Sequence, residues 1–278
     1  MENINNYNDI DLSKYKILIF SRSMNFKLFE LSSNTTIGLP FKHIRLKHTS
    51  ADGYYYDILK YDIDYAINID EDAFVSNPER LLGLLKYCIA NNIVNCGFPD
   101  GGVLYIRNYN PIVTNAFFNI MNVREIKKKL NYREIEDFDY TQYNYEEKVP
   151  KHLFKTHSYE FVDGIEPYYH FMLWLNMNFK VFYMDADQYL EGPSTLLKDM
   201  NGDVFIAHSW FSRNYGKDPI ETKRINELYE TFTGKQVREF NRTSDKINKA
   251  IDKISFYYAK NKIYLKKILA KHHLIKYA

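Results

Sequence analysis

Short uninterrupted apolar runs separated by helical stretches constrain this chain more than any other feature. "YKILIF" (15–20) is a continuous apolar run that reads as a buried strand; "FKHIRL" (41–46), where Lys, His and Arg interrupt the apolar residues, reads as a second strand and "DYAINI" (64–69) as the next. "SADGYYYDILKY" (50–61) opens on a helix-start signal at Ser50 or Asp52 and carries an aromatic face. "NPERLLGLLKYCIANN" (77–92) is an amphipathic helix, with Asn77 as cap, Pro78 in the first turn and Glu79 complementing the dipole. Strands that alternate with helices in this way predict an α/β fold with a mostly parallel central sheet flanked by helices. In such sheets, ligands bind beyond the carboxyl ends of the strands.

Further along, "IVNCGFP" and "GGVLYIRN" (93–108) read as two short strands around a glycine-rich turn. Residues 111–130 read as a helix, and 131–160 as an irregular stretch rich in Tyr and charge. "PYYHFMLWLNMN" (167–178) reads as a helix with Pro167 in its first turn, followed by strands "FKVFYM" (179–184) and "GDVFIAHSWF" (202–211). Residues 219–278 read as helices in which Lys alternates with apolar side chains.

Composition narrows the class. Hydrophobic residues make up 45% of the 278, including 25 Tyr and 19 Phe, which is enough for a large core and excludes global disorder. A net charge of +2 gives no reason to expect a nucleic-acid partner. Cys88 and Cys96 do not have the spacing of a zinc site and read as ordinary thiols. The polar, acidic start "MENINNYNDIDLSKYK" does not read as a signal peptide, and no apolar run is long enough to span a bilayer. The expected location is cytoplasmic, either free or peripheral on the inner face of a membrane.

The stretch "AINIDEDAFV" (66–75) puts Asp70, Glu71 and Asp72 at the end of a strand, where their mutual repulsion needs compensation. Asp70 and Asp72, one residue apart in a turn, can face one centre. Paired carboxylates of this kind suit a hard cation, Mn²⁺ or Mg²⁺. A solvated acidic turn that caps the next helix is the other reading. A calcium-binding helix–loop–helix motif fails, because the fifth and sixth loop positions hold Phe74 and Val75. A haloacid-dehalogenase-type phosphatase fits poorly, since Phe74 stands where Thr or Val is wanted and two strands precede the motif.

"DYAINIDEDAFV" resembles the DxD segment of GT-A glycosyltransferases, which follows a hydrophobic strand some way into the chain. The resemblance covers roughly 15–218 and rests on the order of several motifs. It implies a nucleotide-sugar half at about 15–108 and an acceptor half at about 109–218. By this resemblance Ser21 and Arg22 at the end of "KILIFSRS", together with Asp52, approach the nucleotide. Asp100, Gly101 and Gly102 border the donor and acceptor sugars. Glu166, with Asp163 in reserve, sits where inverting members of the family place a general base. His208 completes the metal site with Asp70 and Asp72. Arg213 and Lys217 on the following loop neutralise the diphosphate, and Glu71 points toward the donor or water. Each residue also has a plain role: helix caps for Asp52 and Glu166, a turn for Asp100–Gly102, a structural ring for His208. A second Asp-x-Asp, Asp185 and Asp187, reads as a turn.

The resemblance implies transfer of a sugar from a nucleotide sugar, a UDP-sugar first, to a hydroxyl of a glycan or lipid-linked acceptor, with inversion slightly favoured over retention. Two other classes stay open. One is a metal-dependent phosphatase or nucleotidyltransferase, and the other is a catalytically silent glycan- or membrane-binding protein. Residues 219–278 form the expected C-terminal helical appendage to a 1–218 catalytic domain. Within it, 245–278 reads either as an interfacial helix on anionic lipid or as a helix packed on the domain.

Overall fold

The computed structural model describes residues 7–47, 49–50, 53–100, 111–137, 145–154, 166–190 and 192–271, with backbone alone at 145–146, 259 and 262–271. Its strands are β1 (Ile17–Arg22), β2 (Lys42–Leu46), β3 (Tyr65–Ile69), β4 (Ala73–Val75), β5 (Asn95–Pro99), β6 (Thr114–Asn122), β7 (Val181–Tyr183), β8 (Ala186–Gln188), β9 (Thr195–Lys198) and β10 (Val204–His208). Its helices are α1 (Phe26–Asn34), α2 (Gly53–Leu59), α3 (Pro78–Ala90), α4 (Val123–Lys129), α5 (Tyr132–Glu136), α6 (Tyr169–Asn178), α7 (Pro219–Thr233) and α8 (Thr243–Lys271).

Six strands form the central sheet in the order β2-β1-β3-β6-β5-β7. β1 runs parallel to β2 and β3, and β5 to β7; β6 alone is reversed against both of its neighbours. The expected mixed α/β class and mostly parallel sheet are present. The side-chain alternation of β3 shows how the layers form. Ile67 and Ile69 face the layer built by Leu81, Leu84 and Leu85 of α3. Ala66 faces the opposite layer, with Tyr55 and Ile58 of α2 and Phe171 and Trp174 of α6. Each fully buried Leu, Ile or Phe in these layers contributes about 1.5–3 kcal/mol.

The helix expected over 111–130 is a correction. Residues Thr114–Asn122 are strand β6, and only Val123–Lys129 is helical. "TNAFFNIMN" is buried on both faces, with Phe118 and Ile120 in one layer and Met121 in the other. A run that is apolar on both faces carries no period, so local sequence cannot separate a buried strand from a buried helix. Sequence reasoning also misses α1, whose start is set by Asn25: its side chain accepts the Lys27 N–H at 3.0 Å. In α6 the helix begins at Tyr169, so Pro167 stands in the turn before it.

A second, antiparallel sheet, β4-β10-β9-β8, leans on the first. Its first strand begins immediately after the acidic turn. Phe74 of β4 and Ala207 of β10 share a core with Leu28 and Leu31 of α1 and Ile225, Leu228 and Tyr229 of α7. The second Asp-x-Asp, expected to be a turn, is instead largely strand: Asp187 lies on β8 and Asp185 directly before it, and both pair with Lys198 of β9. No helix among the described residues is long and apolar enough to cross a membrane.

Candidate metal centre and anion cleft

β3 ends at Ile69, and the chain turns at once. The Asp70 N–H donates to Phe117 O at 2.8 Å, its carboxylate Oδ1 takes the Glu71 N–H at 2.8 Å, and its carbonyl takes the Ala73 N–H at 3.1 Å. This closes the acidic turn and launches β4. β4 pairs antiparallel with β10 so that Ala73 lies opposite His208, and the Ser209 N–H donates to Asp72 O at 3.0 Å. The pairing delivers His208 to the acids. One ligand atom from each of Asp70, Asp72 and His208 lies within 4.8 Å of the others.

The centre is a place of unsatisfied charge. Asp72 is 1% exposed and His208 is 4% exposed. Asp72 Oδ2 accepts from the Ser209 hydroxyl at 3.1 Å. Oδ1 stands 3.2 Å from His208 Nε2 but out of hydrogen-bond alignment, so this buried oxygen has no hydrogen-bond partner, and neither does His208 Nδ1. A buried carboxylate oxygen and a buried ring nitrogen left bare in this way cost free energy unless something binds them. Two carboxylates and an imidazole form a donor set that fits a divalent cation.

The electrostatics agree. Burial, then the Asp72 charge, pushes the half-buried Asp70 carboxyl up to about 6. Burial acts on Asp72 as well, but the His208 ring and the Ser209 hydroxyl outweigh it and hold Asp72 below the ordinary range. Glu71 is pushed up to about 8 by burial and by Asp70, against the bonds from Asn25 N–H and Ser23. Burial and the neighbouring Asp70 thus work against a third full charge on the turn. Glu71 Oε2 accepts from the Ser23 hydroxyl at 2.8 Å and from the N–H groups of Met24 at 3.0 Å and Asn25 at 2.7 Å. Glu71 thus ties the turn to the loop that enters α1.

A cavity of about 440 Å³ opens beside the turn, lined by Arg22, Asp70, Glu71, Arg213, Lys217 and Phe256 among others. Three cations drawn from β1 and from the loop after β10 face one side of the metal centre. Arg22 Nε is buried without a hydrogen-bond partner. Arg213 and Lys217 are exposed, on a loop that turns at Gly216, where φ is +77° and a side chain would be strained.

The other predicted residues stand as follows. Ser21 is fully buried, donates to Ile69 O at 2.6 Å and pairs with His43 Nε2 at 2.8 Å, so it knits β1 to β3 and β2. Asp100 follows β5 at the same sheet edge as Asp70. It is fully buried, and its carboxylate accepts from the Tyr169 hydroxyl and the Asn115 amide. Glu166 is half-buried just before α6 and offers its carbonyl to the Tyr169 N–H at 3.1 Å. Asp52, Gly101, Gly102 and Asp163 lie outside the described residues.

Sequence reasoning misses the device that holds His208. Its ring stacks on Phe117 at 4.3 Å and 9°, and Trp210 abuts it from the side at 4.5 Å, only 6.3 Å from the Phe117 ring. Trp210 and Phe211 both adopt left-handed backbone, at φ 58° and 56°. Such a conformation costs roughly 1–2 kcal/mol for a non-glycine residue and concentrates at functional sites. Trp210 Nε1 donates to Thr195 Oγ1 at 2.9 Å. Arg224 of α7 donates to Ser209 O at 2.9 Å and Trp210 O at 3.2 Å, and it also bonds Ser194 and Glu221. "HSWF" contains no glycine or other turn signal, so the sequence holds no hint of the bend.

No known protein family and no curated protein matches this chain. Among solved structures it is similar to a mannosyltransferase from Pyrobaculum calidifontis in complex with GDP-Man and Mn²⁺, at 7% identity over 41% of this chain and 46% of that one, with a TM-score of 0.31. This chain therefore spans about half the length of the mannosyltransferase. It is also similar to a protein from STIV, at 10% identity over 68% and 93% of the two chains, with a TM-score of 0.36. A third is a glycosyltransferase involved in the glycosylation of the major capsid of PBCV-1, at 16% identity over 53% and 81%, with a TM-score of 0.31. The functional assignment rests on this chain's own residues.

Proposed function

We propose that this protein is a metal-dependent glycosyltransferase that moves a sugar from a nucleotide sugar to a hydroxyl of a glycan or lipid-linked acceptor. The observation that carries the reading is the convergence of Asp70, Asp72 and His208 beside a cleft walled by Arg22, Arg213 and Lys217. Acids and an imidazole on one side with cations on the other suit a divalent cation bridged to a diphosphate.

Asp70, Asp72 and His208 would hold the metal, which when bound supplies Lewis-acid stabilisation of the departing diphosphate. The chain's own groups do the rest. Arg22 offers an unused guanidinium N–H to the diphosphate from β1. Arg213 and Lys217 approach from the loop after β10 and offset the negative charge that grows on the leaving oxygen. Phe117 stacks on one face of the His208 ring and Trp210 abuts it from the side, which together restrict the ring's orientation. Glu166, or Asp163, is assigned as the base that takes the acceptor's hydroxyl proton in an inverting reaction. Asp100, Gly101 and Gly102 are assigned to the sugars. Asp52 is assigned to the nucleotide, as is Ser21 through the position it gives Arg22.

The test is thermal unfolding with a panel of nucleotide sugars, with and without Mn²⁺, followed by detection of the released product. A nucleoside diphosphate released only with metal and acceptor is the expected result. Release of phosphate or pyrophosphate would point to a phosphatase or nucleotidyltransferase. No nucleotide response in the wild type, or an equal response in Asp72→Ala, would sink the reading.

A further inference from the structure

α8 runs for 29 residues, about 43 Å at 1.5 Å per residue. Its described side chains divide into two faces. Asp245, Asn248, Asp252 and Ser255 recur at helical spacing and are the less exposed positions. Asp245 accepts from Arg238 at 2.7 Å, and Asp252 pairs with Arg45 at 2.7 Å and Lys47 at 3.4 Å. This inward face fastens the helix to the domain beside the cleft, and Phe256 lines the cleft itself.

The outward face is different. Ile247, Ile251, Ile254 and Tyr258 form a stripe at i, i+4, i+7 and i+11, and they are 53%, 48%, 70% and 70% exposed. Lys246 and Lys253 are exposed on the flank next to the stripe, and the exposed Lys260 and Lys249 follow further round the helix. Asp245 and Asp252 are the only acids in residues 243–278, and both are taken by inward ion pairs. The surface turned to solvent therefore offers apolar groups and uncompensated cations.

We propose that α8 docks this protein on an anionic lipid surface, lying in the plane of the interface with the Ile stripe at the acyl boundary and the lysines among the headgroups. An anionic bilayer satisfies both halves of the face at once, and Tyr257 and Tyr258 suit the boundary between them. A second copy would cover the isoleucines, but two-fold pairing brings one lysine row against another. An acidic protein surface would meet the lysines and leave the stripe without an apolar counterpart. The docking does not depend on which reaction the cleft performs.

The test is flotation of the full chain with phosphatidylcholine vesicles and with phosphatidylcholine vesicles containing phosphatidylglycerol, at low and high salt. Binding to the anionic vesicles alone, weakened by salt, is expected. Ile251→Glu with Ile254→Glu should lower the partition by more than about tenfold. Lys246→Gln and Lys253→Gln should each lower it about fivefold. These positions face solvent, so all three variants should melt with the wild type, which separates lost docking from lost folding. Equal binding to both vesicle types, no binding to either, or binding that survives the glutamates would overturn the proposal. So would a wild-type dimer that Ile254→Glu converts to monomer, because a second copy would then occupy the stripe. None of these assays involves a nucleotide or a metal, so their failure and failure of the transferase reading are told apart.

Discussion

His208 Nε2 stands 3.2 Å from Asp72 Oδ1 because β10 and β4 pair with His208 opposite Ala73. The acid and the imidazole come from distant parts of the chain, and the register of two short strands sets their separation. A one-residue slip in that register would turn His208 to the other face of the sheet.

The metal centre predicts a trade between stability and binding. With burial and Asp72 acting against its charge, an ionised Asp70 destabilises the metal-free protein at neutral pH. Asp70→Asn should stabilise that form in EDTA by up to about 3 kcal/mol, from a displacement of about two pH units. The same variant should lose most of the Mn²⁺-dependent rise in Tm. Chemical denaturation in EDTA and thermal unfolding with Mn²⁺ check the two halves. A variant less stable than the wild type in EDTA would contradict the reading of strained, buried acids.

The left-handed pair after His208 separates strain from packing. Phe211 is 48% exposed at φ 56°, so Phe211→Gly relieves strain while giving up little contact. It should be neutral or more stable by up to about 1 kcal/mol. Trp210→Gly relieves the same strain but removes the indole from His208 and Thr195, and should be less stable. Denaturant midpoints of the two variants should move in different directions.

Arg224 positions the metal centre without touching it. Its guanidinium holds the carbonyls of Ser209 and Trp210, and a lysine cannot reproduce that fork. Arg224→Lys should weaken Mn²⁺ binding by about tenfold, in the range found for groups that orient ligands. Titration calorimetry reads the affinity. An unchanged affinity together with a lowered Tm would reduce Arg224 to a structural role.

His43 sets a pH limit on stability. Burial lowers its folded value to about 4 from 6.5, with its ring nitrogens against the Ser21 and Thr36 hydroxyls. Between those values the unfolded chain binds the extra proton, so stability falls as the pH drops from about 6.5 to 4. The full effect is on the order of 3 kcal/mol. His43→Gln should flatten that part of the pH–stability curve. An unchanged slope in the variant would assign the loss to other groups.

The cations of the cleft should act through charge. Arg213→Gln and Lys217→Gln should each weaken nucleoside-diphosphate binding by about fivefold at low salt, and less as salt rises. Arg22→Gln should cost more, because Arg22 is the less exposed and its Nε has no other partner.

Much of the fold was legible locally. Apolar runs marked β1 and β3, and Asn77 with Pro78 marked the start of α3, because these signals come from a few adjacent residues. The acidic turn was legible because its position at a strand end follows from the same runs. The roles of Ser21 and Glu71 were not legible: whether a hydroxyl or carboxylate faces a ligand or a backbone group depends on segments nearly fifty residues away in the chain.

The amino-acid sequence by itself determined the α/β class, the placement of Asp70 and Asp72 beyond a buried strand, and the amphipathic pattern of α8. Tertiary structure decided that Thr114–Asn122 is a strand, since only pairing with β3 and β5 separates it from a helix buried on all sides. It decided that β4 and β10 bring His208 to Asp72, and that Asp245 and Asp252 turn α8 so its isoleucines face outward. The physical reason is the same in each case. Local patterns state which residues avoid water, while strand partners, register and long-range ion pairs are fixed by contacts between segments far apart in the chain.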